Sequence, residues 1–157
     1  MYQYIPWASF QGLHSFTYHI DDREIVPQRF LDAGVNPSAS KLILAGPSRL
    51  PQLQDLRFTY DRWLQLEELM EVHLWLDAIF RYNLNRTIED PTTFPSIKAF
   101  HVHVECVVSY GRHSFRLEED QLIQLLVDRL PAIYGIGGRR ERYDWDTSIG
   151  VFVSRFD

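Results

Sequence analysis

Only one cysteine, Cys106, occurs in the 157 residues. No internal disulfide can form, so packing alone must hold the fold, and a reducing compartment is expected. Cationic excess is missing too: 16 Lys and Arg stand against 21 Asp and Glu, a formal net charge of −5. Phosphate backbones select the opposite balance, so nucleic acid is not an expected partner. No apolar run approaches the ~20 residues of a membrane-spanning helix. The opening MYQYIPWASFQG lacks the charged start and apolar run of a signal peptide, which points to the cytoplasm.

What is present is a core. Apolar residues make up 45% and aromatics 14% of the chain, enough for one domain over residues 1–157. Residues 1–20 read as an aromatic arm followed by a strand near His14–Ile20, and residues 57–157 as the main sheet and its helices. Two stretches organise that part. In Arg57–Asp77 the even positions are mostly apolar and the odd ones mostly polar, as expected of one long strand with a core face and a wet face. A helix over the same residues is the competing reading, because Leu, Gln, Glu and Met are good helix formers. From residue 98 to 110 a second alternation puts Val102, Val104 and Cys106 on the core face and His101, His103 and Glu105 on the other. Leu117–Leu130 reads as a helix with Glu118, Glu119 and Asp120 at its start and Pro131 at its end. Shorter helices fit Val26–Ala33 and Ala78–Asn85, a short strand fits Lys41–Ala45, and a last strand fits Ser148–Phe156. No internal repeat is expected. The sum is an α+β domain, a mostly antiparallel sheet with helices on one face.

Chemistry is thinner. His101, His103 and Glu105 project from one face at alternate positions, which suits zinc, iron or manganese, but no complete ligand set can be named. No metal and no cofactor are therefore expected. His14 and His113 each precede Ser directly, the wrong spacing for a two-histidine phosphoesterase. The run Gly135-Ile136-Gly137-Gly138-Arg139-Arg140 follows a helix rather than a strand, so phosphate-loop contexts are absent. It reads as a surface loop whose Arg139 and Arg140 can dock an acidic partner. Trp63, Leu69 and Trp75 form an apolar row on the otherwise polar side of residues 57–77, as an interface does.

The segment Glu71-Val72-His73-Leu74-Trp75-Leu76, leading into a short helix, resembles the central strand of bacteriophage tail-terminator or tail-completion proteins. That resemblance implies a small ring-forming virion subunit. The expected function is accordingly non-enzymatic: a structural or assembly protein associating with itself and with other structural proteins. A small binding or inhibitor protein of the immunity or anti-defence kind is the first alternative. A metal-dependent enzyme using His101 and His103 is the second.

Overall fold

A computed structural model describes residues 6–21, 46–64, 73, 76–109 and 118–156, with backbone alone at 20–21, 61–64, 107–109 and 155–156. Four strands, β1 (Ser15–Asp21), β2 (Asp55–Leu64), β3 (Ala99–Ser109) and β4 (Asp146–Phe156), form one sheet in the order β1-β2-β3-β4. Every pairing is parallel. The expected sheet, mostly antiparallel, is thus corrected; the mixture of helix and sheet stands. Alternation tells which face a residue takes, not which way its neighbour strand runs. The deciding quantity is the length of the connections. Residues 65–98 and 110–145 separate successive strands, far more than a hairpin uses and enough for a crossover.

Those crossovers carry the helices. A wide-turned helix α1 (Asp77–Asn85) runs on into α2 (Arg86–Glu89). After β3 come α3 (Glu119–Arg129), α4 (Pro131–Tyr134) and α5 (Arg139–Tyr143). The start of α3 is closed by a capping box between Glu118 and Gln121, which satisfies two otherwise orphaned N–H groups. Right-handed crossovers between sequential neighbours put each return on the same side of a sheet. In keeping with this, Leu76, Ile79, Phe80 and Leu84 and then Leu122, Leu126, Leu130 and Ile133 share one core with the inward strand residues. Phe80 meets Phe58 and Tyr60 edge-on, at 5.8 Å and 6.5 Å. Leu56, Phe58 and Tyr60 on β2 and Phe100, Val102, Val104 and Cys106 on β3 are buried, each fully buried large side chain contributing roughly 1.5–3 kcal/mol.

The long alternating stretch resolves into two elements. β2 ends at Leu64, and His73 and Leu76 are already helical; residues 65–72 and 74–75 lie outside the description. A single strand over 57–77 is therefore corrected. The two periods coincide on Leu76, which is fully buried. The helix at 26–33 and strand at 41–45 also fall outside the described residues.

The strands recur with a common lead-in, which the sequence reading missed. Phe10-x-x-Leu13-x-x-Phe16-x-Tyr18, Leu50-x-x-Leu53-x-x-Leu56-x-Phe58 and Phe94-x-x-Ile97-x-x-Phe100-x-Val102 share one apolar spacing. The structure stacks them: Phe16 faces Leu56, which faces Phe100, and Tyr18 faces Phe58, which faces Val102. Backbone bonding repeats as well. The carbonyl of His14 accepts from Gln54 and Asp55, and that of Gln54 accepts from Lys98 and Ala99. Lys98 in turn accepts from Asp146. The unit is one strand and its return, a little over forty residues, so that His19 meets Thr59 at a separation of 40. Before β4 the pattern changes, and Trp145 supplies the bulk, tilted against Phe100 at 6.4 Å. At the β1 end, Trp7 packs edge-on to Phe16. Its ring also lies directly on Gly46, where a Cβ would collide with it.

Candidate functional site

Among the described residues, helices pack on one side of the sheet and none covers the other. Register carries the odd positions of β1 to β3 and the even positions of β4 onto it. One cross-strand row reads Thr17, Arg57, His101, Ser148, and the next reads His19, Thr59, His103, Gly150. Thr17, His19, Arg57, His103, Glu105, Asp146, Ser148 and Phe152 are exposed, and Asp55, Thr59 and His101 half-buried. Phe152, paired in register with Glu105, is 57% exposed on this polar surface.

The histidines are held by their neighbours. His19 Nδ1 lies 2.7 Å from the Thr59 hydroxyl, which itself donates to the Tyr18 carbonyl at 3.4 Å. His101 Nδ1 lies 2.6 Å from the Ser148 hydroxyl. His103 lies across Gly150, where an added Cβ would come within 3.0 Å of its Nδ1, and its Nε2 reaches Glu105 at 3.1 Å. The glycine therefore makes room for the ring. Asp55 accepts from Arg57 at 3.4 Å through Oδ2, while its Oδ1 is buried without a partner.

The arrangement is one of polar side chains in contact with each other and with solvent. His103 and Glu105 are both about half exposed (49% and 53%), so water screens any charge they develop. Among the described residues, no three His, Cys, Asp or Glu side chains converge as a metal site requires. Cys106, the sole thiol, is buried in the core.

Of the sequence-derived interface candidates only some lie within the described residues. Trp63 sits on β2 in register with Val107, its side chain outside the description, and Leu69 and Trp75 are outside it altogether. Arg139 is not a free surface cation. Its guanidinium donates to the carbonyls of Ile88 and Asp90, both at 3.0 Å, and of Thr93 at 3.2 Å. It also lies over Trp145 and Tyr143, at 5.4 Å and 5.6 Å. This is a clamp between the 88–93 turn and the lead-in to β4. Arg140 is exposed, over the Tyr134 ring at 5.8 Å. Asn85, in the sequon Asn85-Arg86-Thr87, is buried and spends its amide on Glu89 and on the Ala132 N–H.

His101, His103 and Glu105 were legible as one face of a strand. His19, Arg57, Thr59 and Phe152 were not joined to them, although the alternation in Ile149, Val151 and Val153 already placed Phe152 on the other side. Compared with protein-family models, with curated proteins and with solved structures, the chain matches none.

Proposed function

We propose that this protein is a non-enzymatic interaction module that recognises another protein with the open face of its sheet. The observation that carries the reading is an all-parallel sheet that, among the described residues, is packed on one side only. Parallel sheets are almost always covered on both faces, and stacked strand-and-helix units use an uncovered face for binding. The apolar spacing of the repeat is similar to that of leucine-rich repeats, with a longer period. The open face offers on the order of 600 Å², taking strand spacing and rise into account, close to one side of a small specific interface.

Its charge selects the partner. Asp55, Glu105 and Asp146 outnumber Arg57 among the described side chains of the face. Two copies meeting through this face set like charges against each other, so a different partner bearing Lys or Arg is favoured over self-pairing. Such a partner would also cover Phe152, an exposed aromatic of the kind enriched at interfaces. The reading stands on the sheet and not on the Glu71–Leu76 resemblance, whose described members His73 and Leu76 are helical.

An array of basic, neutral and acidic peptides tests it. Basic peptides containing an apolar residue should be retained, more weakly as salt rises. The Glu105→Lys variant should lose them without a change in melting temperature. Undiminished retention by that variant would contradict the reading.

A further inference from the structure

Away from the open face, α2, the start of α4 and the 136–143 segment enclose a cleft of about 290 Å³. Ile88, Pro91, Pro131, Ala132 and Ile136 give it apolar walls, and Arg139, Arg142 and Glu89 give it charge. Ile136, at the tip of the glycine run, is fully exposed. The loop backbone is not the anion receptor that its composition suggests. The Gly137 N–H donates to Glu141 at 3.1 Å, and the Gly138 N–H to the Gly135 carbonyl at 2.9 Å.

The guanidiniums are another matter. Arg139 is engaged by three carbonyls, not by a carboxylate. Arg142 is exposed, 5.9 Å from the Tyr143 ring centroid, and has no carboxylate partner among the described residues. Two cations thus line the cleft against the single carboxylate of Glu89, which already accepts from Asn85. Burial holds the Arg139 guanidinium below its usual pKa, and the charge of Arg142 adds to the effect. An arriving anion relieves that repulsion. Arginine and tyrosine are also residue types enriched in interface hot spots.

We propose that this cleft is a second binding site, for an acidic peptide segment that sets an apolar side chain against Ile136 and a carboxylate against Arg142. The apolar walls distinguish it from a bare anion site. It shares no residue with the open sheet face, so either site can fail without the other.

The test is calorimetric titration with Ac-Glu-Leu-Glu-Glu-NH2, its Lys counterpart and inorganic phosphate. The acidic peptide should bind the unaltered protein and Glu105→Lys alike, and the Lys peptide should not enter the cleft. Arg142→Gln should weaken the acidic peptide about tenfold or more, as loss of a charge-assisted contact does. Ile136→Ser should weaken it severalfold. Both positions are exposed, so the melting temperature should hold. Unchanged binding in Arg142→Gln overturns the site. So does equal competition by phosphate together with indifference to Ile136→Ser, which reduces it to an adventitious ion only.

Discussion

Arg139 shows how a side chain that composition marks as surface can also hold the fold together. A glycine- and arginine-rich run is surface-like by composition, yet this guanidinium joins three carbonyls and two rings. Arg139→Ala should cost about 2–3 kcal/mol in urea unfolding, since hydrogen bonds to charged groups are worth more than neutral ones. Arg139→Lys should recover only part, because an ammonium can meet the carbonyls that one guanidinium nitrogen meets but cannot reproduce the stacking on Trp145 and Tyr143. Asp90, in the same turn, gives a pH prediction. Hydrogen bonds from the Thr92 hydroxyl and N–H, at 2.7 Å and 2.9 Å, hold its carboxyl below the ordinary range, with Arg139 and Arg49 adding to the effect. A depressed folded pKa stabilises above the unfolded value of about 4 and is lost as pH falls through the folded one. Asp90→Asn should therefore flatten the fall of melting temperature below about pH 4. An unchanged slope would remove Asp90 from the acid response.

At the scale of the element, β3 was the most legible part of the chain. Strict alternation from Phe100 to Cys106 fixed its faces, and the structure places Val102, Val104 and Cys106 inside and His103 outside. β2 was legible only to Leu64, because apolar even positions continue into a segment that turns helical by His73. The repeat was missed because it conserves apolar character rather than identity: Leu50, Leu53 and Leu56 correspond to Phe94, Ile97 and Phe100. It makes a paired prediction. Leu53→Ala and Ile97→Ala, at equivalent buried positions, should each cost about 2–4 kcal/mol. Leu13→Ala, half-buried at the third such position, should cost clearly less. Urea midpoints of the three variants check the order. A second strut, from α3 to the start of α1 and to His73 ahead of it, is the buried Arg129, which donates to Asp77 at 3.1 Å and to His73 Nδ1 at 2.6 Å. Arg129→Ala should destabilise by about 2–3 kcal/mol, because it removes a buried guanidinium's hydrogen bonds while the half-buried Asp77 keeps Arg81 as a partner.

For the whole molecule, the lesson concerns strand direction. Nothing in a strand's own residues says whether its neighbour runs with it or against it; the intervening length does, and among the described residues four strands in sequential order leave one face bare. No helix among the described residues is long and apolar enough to cross a membrane, which accords with the absence of long apolar runs. The central claim, recognition through the bare face, is tested most directly by thiol footprinting. Cys106 is buried, so a single introduced cysteine reports alone. Ser148→Cys stands on the open face and Gln124→Cys on the exposed side of α3. Maleimide labelling is timed for each, with and without the tightest basic peptide from the array. The account predicts slowed labelling at position 148 and an unchanged rate at 124; protection at 124 with none at 148 would contradict it.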